Sequence, residues 1–182
     1  DIVKRIKPIL ILFLPQIATE IYTVLDKTML GQLASDVDQV GYYTQSEKIV
    51  KLALSVLTSL GTVMLPAMSF AFAQGKMKEI ISSIQKAFNF VFLLGFALLF
   101  GLDAIASNFV PFFFGPGYEP VVGLIIVISP IFTFIGMSNV IGRQYLLPTQ
   151  KQNIFTISVV LGSVINVIMN FLLIRKYNAI GA

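Results

Sequence analysis

Glu20, Asp26 and Lys27 stand in a stretch, LPQIATEIYTVLDKTMLG at residues 14–31, that is otherwise apolar enough for a lipid bilayer. A carboxylate held in such a place can exchange a proton or a sodium ion, and a lysine there can receive an anion. Their spacing is orderly. At about 100° per residue, Gln16, Thr19, Glu20, Thr23, Asp26 and Lys27 fall within less than half of a helix circumference. The rest of that helix is Ile, Leu, Val and Met. A charge near mid-membrane costs at least about 2.5–3.5 kcal/mol, so the stripe is expected to face a wet cavity or another polar helix rather than lipid.

The next apolar segment repeats the pattern. Thr44, Lys48, Lys51, Ser55, Thr58, Ser59, Thr62 and Ser69 share one face, together with Pro66, and Val50, Leu54, Leu57, Leu60, Met64 and Met68 take the other. Two cations thus lead a hydroxyl track into the membrane. Plainer readings stand beside this one. Small hydroxyl residues pack between membrane helices, lysines near a helix end extend to the interface, and Glu20 can be a carboxylate paired with a neighbouring helix. On a later apolar segment Thr156, Ser163, Asn166 and Asn170 share a face and read as interhelical hydrogen-bonding groups.

Composition supports membrane elements as the frame for these stripes. The 182 residues are 56% hydrophobic and 12% charged, with a mean hydropathy of +0.85. Soluble domains carry roughly 25% charged residues, so half that level points to a chain solvated by lipid. A span needs about 20 mainly apolar residues. Five are expected, at about 8–30, 41–74, 84–102, 120–142 and 154–174, with a basic amphipathic interfacial linker at about 75–86. The fold class is therefore all-α, a polytopic helical membrane protein. The Phe-rich third span is expected to face lipid most fully. Pro15, Pro66 and Pro130 can each kink a span by removing a helical donor.

The absence of Cys and His removes disulfides, thiol chemistry and the usual zinc or haem ligands, so no metal and no cofactor is expected. The net charge of +4 is no sign of nucleic acid, because the basic residues lie between spans. With alternating spans, one side receives Lys4, Arg5, Lys7, Lys76, Lys78, Lys86, Arg143 and Lys151. The other receives Lys27, Lys48, Lys51, Arg175 and Lys176. The first side is read as cytoplasmic, with Arg143 as an interface anchor. Lys48 and Lys51 then stand on the opposite side and call for their own explanation. A chain that begins with Asp1 and ends in NAIGA reads as an internal piece of a larger membrane protein.

The phrases LDKTMLG, VGYYTQSEKIV, LPAMSFAFAQGK, FFFGPGYEP, QYLLPTQKQ and NFLLIRKYNAIGA, in that order, resemble the second half of the polysaccharide-transporter branch of the MOP exporter superfamily. The resemblance covers essentially the whole chain. It implies a MATE-like bundle of two lobes, of which these five spans would begin the C-terminal lobe, the N-terminal lobe of the same chain being absent. It also implies a non-enzymatic function in the bacterial cytoplasmic membrane: flipping undecaprenyl-pyrophosphate-linked oligosaccharide units by alternating access. The partners implied are that lipid-linked oligosaccharide, membrane lipids and polysaccharide polymerase machinery. Lys27, Lys48 and Lys51 would then attract the pyrophosphate, with Gln16, Thr23, Ser55 and Thr62 contacting sugar or water. Glu20 and Asp26 would serve ion coupling, or Glu20 would partner Lys27. Relatives sharing the fold leave a flippase for lipid-linked peptidoglycan precursor and a drug–cation antiporter open. From other classes, a membrane glycosyltransferase or polymerase is disfavoured by the short loops, and a non-transporting envelope scaffold stays open.

Overall fold

The computed structural model describes the backbone of residues 2–182 and the side chains of residue 13 and of residues 15–182. Asp1 and the side chains of Lys4, Arg5 and Lys7, which weigh in the charge count, lie outside the described residues. The elements are α1 (Ile2–Leu33), α2 (Asp38–Ala73), α3 (Met77–Phe114), α4 (Glu119–Ile128), α5 (Ile131–Asn139), a π-helical segment (Val140–Leu146), α6 (Gln152–Tyr177) and a 3-10 turn (Asn178–Gly181). Among the described residues there is no strand.

Four segments are long and apolar enough to cross a bilayer: Asp38–Ala73, Met77–Phe114, Glu119–Leu146 and Gln152–Gly181. The expectation was five. The difference is the span at 8–30, which falls in α1, a 32-residue helix whose early side chains lie outside the described residues. Helices α4 and α5 with the π-helical segment make up one span. The 75–86 stretch is not a separate helix, because α3 runs unbroken from Met77. Of the prolines expected to kink spans, α1 and α2 continue through Pro15 and Pro66, while the helical run is interrupted at Pro130.

The chain forms two compact units, one of residues up to Gly41 with Lys151–Ala182 and one of Tyr42–Gln150. In the first, α1 packs along α6. The 3-10 turn closes this unit with side-chain caps. Asn178 Oδ1 accepts the Ser35 backbone N–H at 3.0 Å and its hydroxyl at 3.1 Å, and the Ala179 N–H donates to Gln39 Oε1 at 3.4 Å. These bonds give partners to backbone N–H groups just beyond the C-terminal ends of α1 and α6.

In the second unit, the apolar face of α2 (Val50, Leu54, Leu57) packs with Ala87 and Val91 of α3 and with Phe132 and Val140. Ala106 and Val110 of α3 form another cluster with Val121 and Ile125 of α4. The tightest approach joins α3 to α5: a β-carbon on Gly136 would stand 2.5 Å from Val91 Cγ1. Small residues let membrane helices come this close, and a β-branched neighbour has little rotamer freedom to yield. Gly136→Ala is therefore expected to cost about 1–3 kcal/mol by overpacking. Val91→Ala in the same protein should restore part of it, with a coupling of at least about 0.5 kcal/mol in a double-mutant cycle. Thermal unfolding of the full-length protein in detergent measures both.

The α2–α3 turn depends on Gly75, whose φ of +70° suits glycine. The Gly75 N–H bonds Phe72 O at 2.9 Å and the Lys76 N–H bonds Ala71 O at 3.0 Å, closing the end of α2. Helix α3 exposes Phe90, Phe92, Leu93, Phe96 and Phe100, and Phe92, Phe96 and Phe100 stack at 5.9 and 6.1 Å along one side. An apolar face of this size on a membrane helix suits hydrocarbon chains.

Candidate functional site

Helix α2 divides into two faces. Val50, Leu54, Leu57, Gly61 and Met68 are buried in the core of its unit, while Lys48, Lys51, Ser55, Ser59, Thr62, Pro66 and Ser69 are exposed. Of the stripe read from the sequence, Thr44 and Thr58 alone are half-buried. Its hydroxyls are held by their own helix: Ser55 donates to Leu52 O at 2.7 Å, Ser59 to Val56 O at 2.8 Å and Ser69 to Leu65 O at 2.9 Å. These hydroxyl protons are used on carbonyls of the same helix, and the oxygen lone pairs remain free to accept. A sugar hydroxyl can donate to those oxygens.

The two cations differ. Lys51 Nζ pairs with Glu47 at 2.6 Å, one turn back on the same helix. The lysine side chain is 54% exposed and that of the glutamate 13%, so part of the Lys51 charge is already committed to Glu47. Lys48 has no ion pair or hydrogen bond among the described residues. Residues three apart on a helix are neighbours, about 5–6 Å between β-carbons. Two ammonium groups so placed repel one another and jointly favour a doubly charged anion such as a diphosphate.

The stripe on α1 is split by its packing on α6. Asp26 is 7% exposed, and its Oδ1 accepts the Asn170 side-chain amide at 2.6 Å in a buried bond. Gln16 and Glu20 are exposed, with Gln16 Nε2 donating to Glu20 Oε1 at 3.4 Å. Lys27 is half-buried. Thr23 turns its hydroxyl back to Thr19 O at 3.1 Å and Glu20 O at 3.0 Å, and Thr19 does the same to Pro15 O at 2.8 Å. The two carboxylates expected to act alike therefore have different settings, one buried against an amide and one open.

Asn170 was read only as an interhelical hydrogen-bonding group, and the structure gives it Asp26 as a partner. An amide in the middle of an apolar helix is the signal that points there. Its neighbours behave otherwise, since Ser163 bonds Val159 O of its own helix at 2.8 Å and Asn166 Oδ1 is buried with no partner. Ala18, Ile21 and Tyr22 of α1 and Val160, Ser163, Val164 and Ile168 of α6 line a largely apolar cleft of about 340 Å³. Its walls suit hydrocarbon. No group of three or more His, Cys, Asp or Glu gathers among the described residues.

Residues 9–123 match the family described as "Polysaccharide biosynthesis protein". Over 170 residues the chain is 25% identical to a candidate O-antigen transporter of Escherichia coli (strain K12), covering 93% of this chain and 40% of that protein. Over 139 residues it is 25% identical to the lipid II flippase MurJ of Bacillus subtilis (strain 168), covering 75% of this chain and 25% of that protein. The chain thus spans less than half the length of either relative. No solved structure matches it.

Proposed function

The chain belongs to the polysaccharide biosynthesis protein family, the polysaccharide-transporter branch of the MOP exporter superfamily, and is multi-pass in the bacterial cytoplasmic membrane; from that premise we propose that it forms part of a flippase for lipid-linked oligosaccharides. The whole protein carries a saccharide joined through pyrophosphate to a polyprenyl lipid from one leaflet to the other. It does so by alternating access between two lobes, this chain contributing to the C-terminal one, and changes no covalent bond. Its relatives bear the names of transporters and flippases, not of enzymes.

The observation that carries the reading is the open face of α2, where Lys48 and Lys51 stand above Ser55 and Thr62 while the opposite face is packed core. Lysine ammonium groups attract the pyrophosphate, and the hydroxyl oxygens accept from sugar. In the other unit, α1 carries the same chemistry on its own stripe, with Lys27 as a cation and Gln16 and Thr23 as polar groups. Asp26, buried against Asn170 at 2.6 Å, is the group for ion coupling, since a carboxylate there can exchange a proton or sodium ion as the helices move. Glu20, being exposed, is the weaker candidate.

A lipid-linked peptidoglycan precursor is the second reading, favoured by the match to a lipid II flippase. It presents the same pyrophosphate to the same lysines. Complementation separates the two. The full-length protein should restore polysaccharide export to a bacterium lacking its O-antigen flippase and fail to sustain growth of one depleted of its lipid II flippase. The reverse pattern selects the peptidoglycan precursor, and failure of both with normal membrane insertion contradicts the proposal.

A further inference from the structure

Arg143 was expected to anchor the chain at the cytoplasmic interface, yet its neighbour on α2 places it elsewhere. A β-carbon on Gly61 would stand 3.7 Å from Arg143 Cβ and 3.8 Å from its Cδ. Gly61 lies within the uncharged run of residues 52–73, about 14 Å from one end and about 18 Å from the other at 1.5 Å per residue. Arg143 therefore enters the unit level with the middle of an apolar span. An arginine at such depth marks a substrate or ion pathway more often than an anchor. It is exposed and makes no ion pair among the described residues.

Two further features converge there. Gln144, the next residue, is 1% exposed, and its Oε1 has no hydrogen-bond partner. Its Nε2 is 3.9 Å from the same Gly61 β-position. A fully buried amide left unpaired is costly unless a ligand completes it. Both residues sit on the π-helical segment, where the Leu147 N–H reaches back five residues to Gly142 O at 3.0 Å. Single π turns inside helices recur at functional sites because they displace side chains from the helical repeat.

We propose that Arg143 and Gln144 form a second station for the pyrophosphate of the lipid-linked substrate, an inference that rests on the flippase reading above. Lys51 precedes Gly61 by ten residues, about 15 Å along α2. The two stations lie at different depths along α2, and the anion occupies them in turn as it crosses. The guanidinium offers paired N–H donors to phosphate oxygens. The Gln144 amide donates to the phosphate, and its carbonyl accepts from a sugar hydroxyl.

The test uses the full-length protein in proteoliposomes with a labelled undecaprenyl-pyrophosphate-linked sugar, and melting temperatures in detergent. Arg143→Gln should slow transport by about 10-fold or more, the loss expected for a charge-assisted hydrogen bond, and Arg143→Lys should retain a substantial part of the rate. Gln144→Leu should raise the melting temperature, by removing a buried unpaired amide, and yet slow transport. If Arg143→Gln lowers the melting temperature as well, Arg143→Lys decides: retained transport supports the station, and lost transport makes the residue structural and overturns it. Normal transport by Arg143→Gln, alongside loss in Lys48→Ala/Lys51→Ala, overturns the station and leaves the flippase reading intact. Normal transport by every one of these variants defeats both.

Discussion

Replacing Lys48 and Lys51 together by alanine should lower polysaccharide export by the full-length protein at least about 100-fold, since each charge-assisted contact to a phosphate is worth about 1.5–3 kcal/mol. The single variants should be unequal. Lys51 already spends part of its charge on Glu47 at 2.6 Å, whereas Lys48 has no partner among the described residues. Lys48→Ala is therefore expected to be the more damaging of the two. Both side chains are on the open face of α2, away from Val50, Leu54 and Leu57, so folding should be unaffected. Arginine at either place should retain activity, because it keeps the charge. Export measured alongside membrane abundance checks this. An active, normally abundant double-alanine protein would remove the cationic face from the account.

The second large effect belongs to the buried pair on α1 and α6. Asn170→Leu should destabilise the fold by about 1–3 kcal/mol or more, because it strips the amide from a buried carboxylate. Asp26→Asn removes the ionisable group and leaves two amides that can still bond each other. It should melt near the wild-type temperature while losing acceleration by a proton or sodium gradient. This contrast between a stability effect at Asn170 and a coupling effect at Asp26 distinguishes an ion-coupling carboxylate from a packing contact. Equal gradient dependence in wild type and Asp26→Asn would assign Asp26 to packing alone.

Why some of this could be read from residues and some could not follows from what periodicity reports. The α2 track was legible because Lys48, Lys51, Ser55 and Thr62 share one side of a single helix, and a 3.6-residue repeat gathers them without knowledge of any neighbour. The same repeat gathered Gln16, Glu20, Thr23, Asp26 and Lys27. It could not tell that α6 covers the Asp26 edge and leaves Gln16 and Glu20 open, because that depends on which helix packs where. The partner of Asp26 is 144 residues away, and no local pattern carries such information. Arg143, read as an interface anchor, is a similar case: its place beside Gly61 of α2 belongs to a span that is interrupted at Pro130 and carries a π-helical segment, which a regular repeat does not anticipate. The long reach of α3, Met77–Phe114 against an expected 84–102, has a simpler origin. Its polar first turns are good helix formers, and hydropathy reports the bilayer rather than the helix.

The most direct measurement places the full-length protein in sealed proteoliposomes with a labelled undecaprenyl-pyrophosphate-linked oligosaccharide in one leaflet. An impermeant lectin then reads the leaflet occupied, and mass spectrometry reads the substrate before and after. The account predicts protein-dependent movement to the other leaflet with the mass unchanged, and little movement of the same sugar on a neutral polyprenyl carrier that lacks pyrophosphate. Movement no faster than in protein-free vesicles, or a change in substrate mass, would contradict it.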